Sequence, residues 1–171
     1  FSLLPEPEAG GLLALMLLHH ARRATRTDAQ GELVLLENQQ RSLWDRQEIQ
    51  RADQLVRQAL LSRRFGPYTL QAAIAAVHAQ SPSSAETDWQ EIVGLYDLLM
   101  QHMPTPIVAL NRAAALAMRD GPEAGLQALA PLMENKALQG YHLAHAALAD
   151  MHRQLGHQDA AVQAYTQALV L

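Results

Sequence analysis

Apolar residues recur at helical spacing along most of this chain, and short polar segments with proline or glycine separate the apolar runs. Leu and Ala, which lead the scale of helix propensity, supply most of the apolar positions, and β-branched runs are few. The pattern therefore predicts an all-α protein of about eight helices. The predicted helices cover about 6–24, 45–62, 68–79, 87–102, 107–118, 123–130, 140–155 and 157–170.

Several predicted helices carry recognisable start signals. Asp45 and Glu48 form a capping-box pattern, in which each side chain bonds the backbone amide of the other. Thr87 is the predicted N-cap of the helix over 87–102. Thr105 is the predicted N-cap of the following helix, with Pro106 in its first position.

The segment 32–37 is ambiguous, because its apolar residues suit either a short strand or one helical turn. No partner strand is evident in the rest of the sequence. We therefore expect an irregular and buried connector between the first and second helices.

The C-terminal thirty residues resemble one tetratricopeptide repeat, with a helix, a break at Gly156 and a second helix. Small residues are expected where the helices touch and large ones between them: Ala149, Ala161 and Ala168, then Leu148, Leu155, Tyr165 and Leu169. Gly121 precedes Gly156 by close to one repeat period, so a degenerate repeat comes first. We expect two regions, a helical cap over 1–103 and repeats, solenoid-like, over 104–171, because isolated repeats need a cap.

Composition narrows the function classes. The 171 residues are 49% hydrophobic and only 5% aromatic, which suits a core of Leu and Ala. The absence of cysteine excludes disulfides, thiolate metal sites and a cysteine nucleophile.

A net charge of −4 argues against nucleic-acid binding by this segment alone. No signal peptide is visible and the apolar run 10–18 is too short to span a membrane, so we expect a cytoplasmic location.

Five segments, in order along nearly the whole chain, carry a family resemblance. They read LLALMLLHHARR at 12–23, GELVLLENQQRSLWD at 31–45, GPYTLQAAIAAVH at 66–78, TDW at 87–89 and LNRAA at 110–114. Together they resemble the extracytoplasmic-function (ECF) sigma factors that have a long C-terminal extension of tetratricopeptide type.

The resemblance implies a regulatory domain of an RNA polymerase sigma factor. The chain begins with Phe and not Met, and it looks like the extension alone, so the sigma regions are expected before it. The implied partners are those sigma regions and core RNA polymerase, with promoter DNA contacted only through the absent regions and no membrane contact. The alternative is a stand-alone tetratricopeptide-like adaptor that binds a peptide of an unrelated protein.

The end of the first helix is one candidate contact surface. Arg22, Arg23 and Arg26 could meet an acidic protein surface, or DNA beside the sigma regions. The alternative is a solvated helix end, where cations are favoured by the helix dipole and would pair with Asp28 or Glu32.

A second candidate follows Arg41 in the sequence and comprises Trp44, Asp45 and Arg46. These side chains could contact the sigma regions or the polymerase. The favoured interpretation is structural, because Trp44 and Asp45 already belong to the predicted start of a helix.

A third candidate is a peptide-binding groove in the repeats. Asn111 and Arg112 lie on the kind of helix that lines a repeat groove, and Tyr141 and His145 could join them. Plain hydrogen bonding between helices is an equally good interpretation of the four residues.

The sequence shows no motif for catalysis or for metal binding. A zinc site at His142, His145 and His152 is disfavoured, because no His-Glu-x-x-His motif or cysteine supports it. The sequence has no phosphate-binding glycine loop and no nucleophile elbow. We therefore predict neither enzymatic activity nor a bound cofactor.

Overall fold

The computed structural model describes residues 6–171, and within that range the chain forms nine α-helices and no multi-residue strand. The all-α prediction is confirmed. The helices are α1 Pro7–Ala21, α2 Arg46–Leu61, α3 Pro67–Gln80, α4 Trp89–His102, α5 Pro106–Asp120, α6 Pro122–Leu129, α7 Lys136–Gln139, α8 His142–Gln154 and α9 Gln158–Leu169. None of the helices in the described part is long and apolar enough to cross a membrane.

The chain divides into two compact units, one up to Glu91 and one from Ile92 to Leu171. The boundary lies inside α4. The predicted division into a cap before Pro104 and repeats after it stays a prediction about the role of each part.

The first unit is built on helices α1, α2 and α3, each of which packs against the other two. Its buried side chains are mostly small: Ala14, Leu18 and Ala21 from α1, Ile49, Ala52, Val56 and Ala59 from α2, and Leu70, Ala72, Ala73, Ile74, Ala76 and Ala79 from α3. Small residues let helix backbones approach closely, which explains how a chain with few aromatics still fills this core.

The side chain of Glu8 joins the start of α1 to the start of α3. Its carboxylate accepts hydrogen bonds from the backbone amides of Gly66 (2.7 Å), Tyr68 (3.0 Å) and Thr69 (3.1 Å), and from the Thr69 hydroxyl (2.6 Å). Burial acts to raise the pKa of Glu8, but these hydrogen bonds outweigh it and lower the pKa below its usual value. A carboxylate from a different helix therefore satisfies the free amides at the α3 N-terminus.

The connector between α1 and α2 corrects one prediction. It is irregular, as expected, with one antiparallel bridge between Thr27 and Leu33, but it is not buried. Leu33 is 78% exposed and Leu35 is 65% exposed, because backbone hydrogen bonds such as Val34 N–H to Arg26 O hold the segment along the surface. Only alternate side chains turn inward in such an extended segment.

The predicted helix starts are partly right. Asp45 caps α2 as expected, but Glu48 does not return a bond to the Asp45 amide, which donates instead to Ala21 O (3.0 Å). Thr87 is not the cap of α4: its hydroxyl donates to Ser83 O, and Asp88 accepts from the Glu91 amide at 2.9 Å.

In the second unit, α5 packs against α6 and α8 packs against α9 as two helix hairpins. Gly121 and Gly156 make the turns with φ of +100° and +75°, a region that favours glycine, so the two predicted breaks are confirmed. A core of buried residues lies among α5, α6, α7 and α8: Leu110, Ala113, Leu129, Leu138, Ala144 and Met151. Stacking into a solenoid stays a prediction.

The predicted contacts between α8 and α9 are also partly confirmed. Ala149 and Ala161 are buried where the two helices meet. Tyr165 and Leu169, predicted to fill the space between helices, are exposed, and Leu169 is 87% exposed. Tyr165 remains within reach of the Arg153 side chain of α8, whereas Leu169 is the last residue of α9.

Candidate functional site

The Trp44 indole is the centre of a polar cluster in the first unit. The side chain is only 3% exposed, and its Nε1–H donates to Thr25 Oγ1 at 2.9 Å. The guanidinium carbon of Arg41 lies 4.9 Å from the ring centroid and that of Arg22 lies 5.7 Å away. Both distances are typical of cation–π contacts.

Arg41, which sequence reasoning did not select as a site residue, is the most buried charged side chain of this cluster. It is 9% exposed, and its Nη1 donates to the carbonyls of His78 and Ser81, the latter at 2.8 Å. These carbonyls are at the C-terminal end of α3, where a cation is favoured by the helix dipole. The Nη2 atom of Arg41 is buried and has no hydrogen-bond partner among the described residues.

No carboxylate of the described residues pairs with the arginines around Trp44. Within residues 6–171, Arg22, Arg26, Arg41 and Arg46 form no ion pair. The alternative pairing with Asp28 or Glu32 is not seen within the described residues, and Asp28 Oδ1 instead accepts from the amides of Gln30 and Glu32 in its own loop.

Arg23 differs from its neighbours, because it lies 3.7 Å from a carboxylate oxygen of Glu48. Glu48 also accepts from His20 Nδ1 at 2.8 Å. The acid that serves the end of α1 therefore comes from α2, and it leaves Arg22 without a counterion.

Asp45 and Arg46, which the sequence also indicated as contact residues beside Trp44, have structural roles. Asp45 Oδ1 accepts from the amides of Gln47 (3.0 Å) and Glu48 (3.1 Å). Arg46 is exposed, and its Nη2 lies 3.5 Å from the Arg41 carbonyl oxygen. Because Trp44 is buried, the exposed part of this region consists of arginine side chains and not of the indole.

Burial, and after it the neighbouring positive charges, lowers the pKa of Arg22, Arg41 and His78. Burial lowers the pKa of Arg22, and Arg26 and Arg41 lower it further. Burial and then Arg46 lower the pKa of Arg41. Burial, Arg41 and Arg22 together lower the pKa of His78 to about 4. His78 is therefore neutral at pH 7, where its ring makes an edge contact with Trp89.

This shift at His78 predicts a pH dependence of stability. Between pH ~6.5 and ~4 the unfolded chain binds a proton at His78 that the folded chain does not, so stability falls as the pH falls through that window. We expect a loss of about 2 kcal/mol from this residue. In urea unfolding of the wild type and His78→Gln across this range, the variant should show the weaker dependence. Parallel profiles would contradict the prediction.

The four predicted groove residues of the second unit are in separate environments. Arg112 Nε pairs with Asp97 at 2.6 Å, and His145 Nε2 is 2.9 Å from Gln139 O. Tyr141 packs against the core and meets the His142 ring edge-on, while Asn111 is exposed. In the described part of the chain, no hydrogen bond, ion pair or ring contact joins the four to one another, and the peptide groove stays a prediction.

The histidines of α8 do not converge as ligands of one zinc ion would have to. His152 Nδ1 lies 3.2 Å from Nδ1 of His157, at the start of the next helix, while His145 bonds a backbone carbonyl. Residues 6–171 contain no group of three or more His, Asp or Glu side chains placed to hold a metal ion.

Comparison with known proteins adds a family match and one relative. Residues 2–60, which include the Trp44 cluster, match the sequence model of a family of unknown function, DUF6596. An uncharacterized protein of Rhizobium meliloti (strain 1021) is 46% identical over 166 residues, which cover 97% of this chain. The chain spans 39% of the length of that relative.

Proposed function

We propose that this chain is a regulatory C-terminal domain of an ECF-type RNA polymerase sigma factor, and that it modulates transcription initiation through protein–protein contacts. The match of residues 2–60 to DUF6596 carries the proposal, because that family occurs as a C-terminal domain in sigma-70 family proteins. The order of the five resembling segments supports the same assignment.

Two features favour regulation by contact. The Trp44 cluster places several arginines without counterions around one surface of the first unit. The second unit consists of helix hairpins, an architecture that commonly holds other proteins. The expected partners are sigma regions of the same polypeptide and core RNA polymerase, and the chain itself performs no catalysis.

The mechanism is a shift between two states. The domain docks on the sigma regions or on the polymerase, and this docking changes the fraction of molecules able to start transcription. A signal acts only through unequal affinity for the docked and undocked states.

The test is transcription from a cognate promoter with purified core polymerase. We expect the full-length gene product and a version that ends just before Phe1 to differ by about fivefold or more, since couplings between sites are typically of that size. Circular dichroism of each version serves as the folding control. Adding the separate 171-residue chain should move the truncated protein back toward the full-length activity. Equal activity of both versions would refute regulation of initiation by this domain.

The adaptor alternative has one observation in its favour. The exposed side of α9 displays Val162, Tyr165 and Leu169, an apolar surface of the kind that protein partners cover. A full-length gene product without sigma regions would favour this alternative.

A further inference from the structure

The cluster around Trp44 concentrates positive charge that the described chain does not neutralise. Arg22 and Arg41 both face the indole, and Arg46 contacts the backbone of Arg41. The charged groups that act on Arg22 and Arg41 are other arginines, which repel them. A buried cation without a counterion is costly, so an anion placed here would be stabilised.

One cation of the cluster is both buried and incompletely hydrogen-bonded. Arg41 is nine-tenths buried, and its Nη1 is used by two carbonyls while Nη2 has no partner among the described residues. A guanidinium group presents paired N–H donors that fit the two oxygens of a carboxylate. Because Nη2 of Arg41 is inaccessible, Arg41 would act on a bound anion through its charge, and the more exposed guanidinium groups of Arg22 and Arg46 would contact the anion.

Apolar side chains border the cluster. Leu43 is directly before Trp44 and is exposed. Leu33 and Leu35 are also exposed, and they flank Val34, whose amide donates to Arg26 O. Exposed leucines beside unpaired arginines are typical of a surface for a protein partner, whereas a nucleic-acid surface is polar throughout.

We propose that Arg22 and Arg46, supported by the buried charge of Arg41, form a receptor for the carboxylates of an acidic protein segment, with apolar residues of that segment covering Leu33, Leu35 and Leu43. A segment with Glu or Asp beside Leu or similar residues has this chemistry. Nucleic acid fits less well, since the chain has net charge −4 and the arginines surround one indole rather than following a line of phosphates. The inference rests on the proposed function, since it names the chemistry of a docking partner.

The probe is a fluorescein-labelled peptide, Gly-Glu-Leu-Asp-Glu-Leu-Gly, with blocked ends, and binding is measured by fluorescence anisotropy. A matched peptide has Gln and Asn in place of the acids. We expect binding of the acidic peptide that weakens as salt rises, and at least fivefold weaker binding of the matched peptide.

Variants locate the site. Arg22→Ala and Arg46→Ala should each weaken binding about three- to tenfold, as the loss of one charge-assisted contact at a partly exposed site predicts. Arg51→Ala is the matched control, because Arg51 is exposed on α2 and forms no ion pair within the described residues; its effect should stay below about twofold. Arg41→Ala removes bonds to two carbonyls and risks unfolding, so the other two variants carry the test.

Three outcomes would overturn the inference. They are equal binding of both peptides, equal weakening by all three variants, and displacement of the peptide by inorganic phosphate or a DNA duplex at similar concentrations. The two proposals can fail separately. A transcription effect without peptide binding at the cluster removes this inference alone, and peptide binding without a transcription effect removes the regulatory role alone.

Discussion

Gly11→Ala is expected to destabilise the first unit by about 3 kcal/mol or more, because a new methyl group would be forced into backbone. A Cβ at Gly11 would lie 2.6 Å from Thr69 N and 2.7 Å from Thr69 Cα, well inside van der Waals contact. Backbone of α3 cannot turn aside as a flexible side chain would, so α1 and α3 must separate. Urea unfolding followed by tryptophan fluorescence is the measurement, since Trp44 and Trp89 both belong to this unit.

Gly94→Ala is the matched control. Gly94 is exposed within α4, and a Cβ there would meet no atom within 4 Å. Alanine in an open helical position should stabilise by about 0.5–1 kcal/mol, measured by circular dichroism during urea unfolding. Opposite signs at the two glycines are expected. Similar small changes at both would mean that α1 and α3 do not approach as closely as described.

Elements whose signals are local in sequence could be predicted well. Asp45 and Thr105 were identified as caps, because a short polar side chain bonds an amide two or three residues later. Gly121 and Gly156 were identified as breaks because glycine tolerates the positive φ of such turns. Thr87 was misassigned because Asp88, the next residue, is an equally good cap and sequence spacing does not separate them.

Features that depend on distant residues escaped sequence analysis. Glu8 lies in the first turn of α1, where an acid suits its own helix, yet it bonds amides at the start of α3. Glu48 looked like half of a capping box, yet it serves His20 and Arg23. In both cases a local role was plausible, and the actual partner became visible only when the helices were packed.

The candidate site shows the same limit. The sequence drew attention to Trp44 and the arginines near it, but only packing reveals that Arg41 is buried among carbonyls and that Arg22 lies over the indole. The absence of a paired carboxylate is a property of the folded unit. Asp28 and Glu32 were plausible partners by sequence, and the loop conformation directs the Asp28 carboxylate to its own backbone.

Trp44→Ala is expected to cost about 3–5 kcal/mol, the usual range when a large buried aromatic side chain is removed. The change also leaves the Thr25 hydroxyl without its indole donor and removes the ring surface that faces Arg22 and Arg41. Urea unfolding monitored by Trp89 fluorescence gives the measurement, since Trp89 remains in the variant.

Trp44→Phe separates the parts of this effect, because phenylalanine keeps an aromatic ring but has no N–H. We expect a loss of about 1–2 kcal/mol from the smaller ring and the lost hydrogen bond from the indole to the Thr25 hydroxyl. Thr25→Val in the same background should then cost less than Thr25→Val in the wild type, since the two side chains share one hydrogen bond. If Trp44→Ala changed stability by less than about 1 kcal/mol, the indole would not organise the arginines around it, and the proposed carboxylate receptor would lose its support.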